Sequence, residues 1–222
     1  MKTLRGGILP ALLGGLGLVA CGGTHQAAVG TSPAPATGYD SSPSAMARAR
    51  ADSIRHPYTQ ADVWFMSHMI GHHAQALVMA GWAPTHGANP SVRILAERII
   101  NAQQDEIATM QRWLGDRRLP VPQAQSTGMK MNGAPHEMLM PGMLTPAQMQ
   151  QLDQARGPEF DRLFLTFMIQ HHKGAVSMVK DLFGTTGAAR DETVFKFAND
   201  VSVDQSTEVA RMERMIAALP PG

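Results

Sequence analysis

The apolar positions of this chain recur at helical spacing in four long stretches, separated by runs rich in Gly and Pro. The clearest stripe is Ile94, Leu95, Ile99, Ile107, Met110, Trp113 and Leu114. Asn89-Pro90 sets its start, with Pro at the first helical position, and Gly115 its stop. A preceding helix is predicted from Thr59, where Asp62 three positions on makes an approximate capping box, to about Trp82. Thr145-Pro146 opens a short helix to about Ala155. Gly157-Pro158 opens a third long helix to near Gly184, and a fourth runs from about Asp191 to Leu219. Residues 116–144 show little periodicity and are predicted to be a loop.

The first and third helices carry the same stretch. At an offset of 99, Asp62 matches Asp161, Phe65 matches Phe164, Met69-Ile70 matches Met168-Ile169, and His72-His73 matches His171-His172. Ala76 and Met79 match Ala175 and Met178. At an offset of 102 the second and fourth helices also match, Gln103, Glu106, Ile107 and Met110 against Gln205, Glu208, Val209 and Met212. The repeated unit is therefore a helical hairpin, used twice. Two amphipathic hairpins bury their stripes against each other, which predicts an all-α fold: a four-helix bundle with a short linking helix. Repeat one spans 58–115, the Met-rich loop and short helix 116–156, and repeat two 157–219.

The N-terminus reads differently. Lys2 and Arg5 precede an apolar run from Ile8 to Ala20 that is too short for a stable membrane span. It ends in Leu18-Val19-Ala20-Cys21, which resembles a bacterial lipobox, and Cys21 is the only cysteine. Residues 1–20 are thus expected to be a lipoprotein signal peptide, with lipidation at Cys21. Residues 21–57, rich in Gly, Ala, Ser, Thr and Pro, are expected to be a disordered tether. The mature domain would then lie outside the cytoplasm, in the periplasm or at the cell surface, held to a membrane by lipid alone. It would have no free thiol. Removing Lys2 and Arg5 from 19 basic residues leaves 17 against 18 acidic, and no basic patch argues for nucleic acid.

The repeat carries the candidate chemistry. On a helix, Met69 falls on one side with His72 and His73, and His68 faces with His72; Met168 pairs likewise with His171 and His172. Phe167 stands where the first repeat has His68, so the halves are not equivalent. Thioether and imidazole together suit a soft or borderline ion: copper, with Cu(I) favoured and Ag(I) as its mimic. Met79 and Met178 complete the candidate ligands. Met129, Met131, His136, Met138, Met140 and Met143 form an accessory thioether-rich set in the loop. Glu106 and Glu208 interrupt apolar stripes and are expected to hydrogen-bond imidazole N–H groups, with Gln103 and Gln205 one turn away sharing that role. Asp62 and Asp161 suit helix starts at least as well as support of an imidazole. Met110, Met149, Met212 and Met215 are expected to pack in the core.

The segments Phe164-Leu-Thr-Phe-Met-Ile-Gln-His-His-Lys-Gly-Ala-Val-Ser-Met178 and Pro141-Gly-Met-Leu-Thr-Pro-Ala-Gln-Met149 resemble the domain of unknown function numbered 305, as does the doubled Met-Ile-x-His-His-x-x-Ala. The resemblance covers about Pro57 to Leu219. It implies a ferritin-like helical bundle, often secreted or lipid-anchored, with some members implicated in periplasmic copper binding. Carried over position by position, Met69, His72, His73, Met79, Met168, His171, His172 and Met178 match the motif. A di-iron site is not expected, because no Glu here has His three positions later.

The leading reading is an extracytoplasmic, lipid-anchored copper-binding protein that sequesters, buffers or transfers the ion, with a copper-handling protein as candidate partner. Two other readings stay open: a copper-dependent redox enzyme, although no nucleophile or acid–base pair stands out, and a metal-free helical interaction module with a pH-sensitive core.

Overall fold

The computed structural model describes residues 42–55, 57–126 and 139–220. The predicted signal peptide, Cys21 and most of the predicted tether lie outside them. Six helices are described and no strands: α1 Pro43–Arg55, α2 Gln60–Gly81, α3 Pro90–Asp116, α4 Pro146–Gln154, α5 Gly157–Gly184 and α6 Glu192–Ala217. The five helices expected from the sequence are present, with ends within about three residues of those read. α1 was not expected and lies within the segment read as tether. Pro43 at its first position and the run Ala45-Met-Ala-Arg-Ala-Arg-Ala51 explain it: these are strong helix formers that carry no apolar stripe.

The helix starts follow from local chemistry. Thr59 and Asp62 form a complete capping box, as do Thr145 and Gln148, and Asn89 and Asp191 each cap the backbone N–H three residues on. Hairpin partners α2 and α3 pack together, as do α5 and α6, and α2 and α5 form the contact between hairpins. The start of α2 meets the end of α5, so these two central helices run antiparallel. α4 rests against both. Among the described residues, no helix is long and apolar enough to cross a membrane.

Acids at the helix starts tie one hairpin to the other. Asp62 accepts from the Ala189 backbone N–H at 2.7 Å, holding the α5–α6 turn where Ala189 takes a left-handed φ of 53°. Its repeat partner Asp161 accepts from the Asn89 backbone N–H at 3.1 Å and from the Asn89 side chain at 2.6 Å, in the α2–α3 turn. A third tie is ionic. Asp191, fully buried, meets Arg117 at 2.6 Å and accepts from Trp113 Nε1 at 3.1 Å, while the Arg117 guanidinium lies 4.4 Å over the Trp113 ring.

The apolar core has two parts. One gathers Phe65, Met66, Met69, Met110, Met178, Val194, Phe197 and Val201; the other gathers Met79, Leu95, Ile99, Phe160, Phe164, Met168 and Met212. Met110 and Met212 are fully buried, as expected of core filler. Along each long helix the change from one part to the other falls at a polar residue. On α2 it falls between Met69 and Ala76, on α3 at Gln103, on α5 between Met168 and Ala175, and on α6 at Gln205. A buried polar layer thus divides the core.

Asp191→Ala would remove an N-cap and the carboxylate that meets the buried Arg117 guanidinium. Chemical denaturation is expected to show a loss of about 3 kcal/mol or more. A loss within about 0.5 kcal/mol would show that the buried pair is energetically idle.

Candidate metal centre

Four imidazoles occupy the polar layer. His72, His73, His171 and His172 are all fully buried. The His72 and His171 rings lie 3.9 Å apart between centroids, across the α2–α5 contact. His73 flanks His72 at 6.3 Å and His172 flanks His171 at 6.2 Å, so the four rings follow the approximate two-fold relation of the repeats.

Each ring has a polar neighbour at Nε2. His72 Nε2 lies 2.9 Å from the Pro141 carbonyl and His171 Nε2 lies 3.0 Å from the His72 carbonyl. A carbonyl only accepts, so in both rings Nε2 carries the proton and Nδ1 carries the lone pair. His172 Nε2 donates to Glu208 at 2.7 Å. His73 Nε2 lies 2.8 Å from Glu106, in ion-pair contact but outside the geometry of a good hydrogen bond. Among the described residues, Nδ1 of all four rings is buried without a hydrogen-bond partner. The amides of Gln103 and Gln205, also buried in this layer, make no hydrogen bond to the described residues either. Buried polar atoms are rarely left so.

Burial governs the charge of the inner pair. It pushes the His72 pKa down to about 3; repulsion from His73 adds to this, and the Pro141 carbonyl opposes it. His171 is held well below its ordinary value, again by burial first and then by repulsion from His72. At neutral pH both rings are uncharged, and each presents a lone pair to the interior.

The segment 139–145, just before α4, is pinned over His72. Gln75, buried, donates to the Leu144 carbonyl at 3.0 Å and accepts from the Leu144 N–H at 2.7 Å. Gln170 donates to the Gly142 carbonyl at 3.3 Å. Gly142 has φ of 78°, and a Cβ on it would lie 2.6 Å from the Gln170 carbonyl and 2.7 Å from Gly174 Cα. A Cβ on Gly174 would fall inside the Pro141 carbonyl. Two glycines therefore let the loop backbone meet the α5 backbone, and this contact aims Pro141 at His72.

The other sequence-predicted residues fall as follows. Met69 and Met178 are buried in one half of the core, Met79 and Met168 in the other, on either side of the imidazole layer. His68 stands apart from the four buried rings: it is half-buried, stacks on Trp64 at 4.3 Å and bonds the Trp64 carbonyl through Nδ1. Burial lowers its pKa, against that hydrogen bond. Met140 and Met143 are buried against the first half of the core. Met129, Met131, His136 and Met138 lie outside the described residues. Among the described residues, no three His, Cys, Asp or Glu side chains converge as a ready-made metal cage. Sequence reasoning missed Gln75. It also passed over His86, which lies buried in the α2–α3 turn with Nε2 against the Asp153 carbonyl at 2.9 Å.

The pH dependence of stability follows from the inner pair. Their folded pKa lies below the unfolded value of 6.5, so their contribution is intact above pH 6.5 and is lost as pH falls towards 3. In metal-free protein, unfolding free energy is expected to drop by roughly 1 kcal/mol per pH unit for each ring below pH 6.5. Denaturant titrations at pH 7.5 and 5.5 measure this; equal stability at both would show that the rings ionise freely in the fold.

No match to a curated protein was found. A fragment of a DUF305 protein from Deinococcus radiodurans is similar in structure, with a TM-score of 0.61 and 30% identity over 73% of this chain and 99% of that one. CopM in its Cu(II)-bound form has a TM-score of 0.55 and 28% identity over 70% of this chain and 95% of that one. CopM in its Cu(I)-bound form gives 0.53 and 29% over 69% and 94%. The family model described as domain of unknown function (DUF305) matches residues 62–216, and the chain belongs to that family.

Proposed function

We propose that this protein binds copper within the polar layer and holds it for sequestration, buffering or transfer, without catalysing a reaction. The observation that carries the reading is the set of four buried imidazole Nδ1 atoms without hydrogen-bond partners, two of them on rings that burial keeps neutral. A buried neutral imidazole with a free lone pair is a donor for a borderline or soft cation and a poor host for a proton. Met69 and Met168, one helical turn from the rings, supply thioethers of the kind that favour Cu(I) and Ag(I). Glu106 and Glu208 orient the outer rings from behind, as carboxylates do for metal-bound histidines. The similarity to CopM, solved with Cu(I), Cu(II) and silver, points the same way.

The donors are not preassembled into a cage, so binding includes a small rotation of rings or thioethers towards the ion. His68, Met79 and Met178 are proposed as peripheral donors, and the Met-rich loop as an accessory site. A leader over 1–20, lipidation at Cys21 and an extracytoplasmic location complete the proposal, on the strength of Leu18-Val19-Ala20-Cys21.

The test is a competition titration of Cu(I) against a chromophoric chelator, with Ag(I) and Zn(II) alongside. Tight, saturable Cu(I) and Ag(I) binding with weaker Zn(II) is expected. His72→Ala with His171→Ala is expected to weaken it by two orders of magnitude or more, and His68→Ala by less than tenfold. Unchanged affinity in a folded double variant overturns the assignment.

A further inference from the structure

The imidazole layer is sealed from most directions, so an ion bound there needs a way in. α2 and α5 close it on one side and the pinned loop covers His72. The outer helices α3 and α6 make no extensive contact with each other. Between them runs an open groove of about 570 Å³. Its walls carry Asp105, Glu106, Glu192, Asp200 and Asp204 against a single Lys196, which is 4.0 Å from Glu192.

A run of acids on a surface is by itself only a solvated face. Here a second observation connects it to the interior. Glu106 forms part of the groove wall with its side chain 18% exposed, and its carboxylate touches Nε2 of the fully buried His73. That ring has no well-formed hydrogen bond at either nitrogen. The groove therefore ends on an imidazole of the layer. Glu208, 23% exposed, touches His172 in the same manner on α6, one turn beyond Asp204. The charges act on one another: the Asp204 carboxyl is raised by partial burial first, then by Glu106, Asp200 and Glu208. Both outer histidines thus communicate with one patch of carboxylates.

We propose that the groove between α3 and α6 is the access route for the cation: Asp200 and Asp204 receive it at the mouth and Glu106 hands it to His73. This deepens the copper-binding reading and rests on it. Hard carboxylates bind a soft ion weakly, so they concentrate it without retaining it, and the imidazoles and thioethers behind them take it over. A groove of one charge sign raises the local cation concentration and the rate of association, and salt weakens that effect.

The experiment is stopped-flow mixing of the protein with silver nitrate in nitrate buffer, read by tryptophan fluorescence. Ag(I) needs no reductant. Asp200→Asn with Asp204→Asn is expected to slow association about three- to tenfold at low ionic strength, with unchanged stoichiometry and a difference that shrinks at about 0.5 M salt. Glu97→Gln with Glu159→Gln makes the same change of charge at exposed positions away from the groove and is expected to leave the rate within about twofold. Equal rates for wild type and the Asp200/Asp204 variant overturn the route, as does equal slowing by the two double variants. Wild-type protein that takes up no Ag(I) overturns the binding reading itself, a result distinct from uptake at unaltered rate.

Discussion

The fold is organised around a polar layer in the one place where an apolar core is expected. Four histidines and two glutamines sit where each long helix crosses the middle of the bundle. Burying an imidazole or an amide without a partner opposes folding, and here several are buried together. The rest of the structure compensates. Apolar clusters above and below supply the burial free energy, and the Asp62, Asp161 and Asp191 ties hold the hairpins in register around the layer. A bundle of this length could bury a continuous apolar stripe instead. Retaining polar groups at its centre sets stability against the capacity to hold something there.

The glutamate contacts show how the layer keeps its chemistry. A carboxylate behind an imidazole fixes which nitrogen bears the proton, so the other nitrogen is left as a donor atom. Carbonyl groups do this for the inner pair and Glu208 does it for His172, while Glu106 stands in ion-pair contact with His73. The inner rings are insulated from water. The outer rings reach the surface through partly exposed acids.

Much of this was legible in the sequence. Helix ends were readable because Thr59, Asn89-Pro90, Thr145-Pro146 and Gly157-Pro158 are local signals that tertiary structure rarely overrides. The pairing of the histidine doublets was readable because the repeat states it. The roles of Gln75, Gly142 and Gly174 were not, because they depend on where a loop returns in space and have no periodicity to reveal them. The matched glutamates could be picked out as acids on apolar stripes, whereas their particular partners required the α2–α3 and α5–α6 packing. His68 was grouped with His72 by spacing; its stacking on Trp64 and its half-burial could not be read from spacing. α1 escaped notice because a helix built on alanine and arginine propensity leaves no hydrophobic stripe.

The close approach of Gly142 to Gly174 bears on how the chain's ancestry constrains it. In the first repeat the position matching Gly174 is Gln75, and the position matching Gln170 is Gly71. The two copies of the hairpin have thus diverged into a clamp and a socket for the same loop. Two first copies would place a glutamine side chain where backbone must meet backbone, and two second copies would lack the amide that grips Leu144. A single hairpin paired with a copy of itself would therefore lack either the clamp or the socket, so the centre needs both unlike halves in one polypeptide.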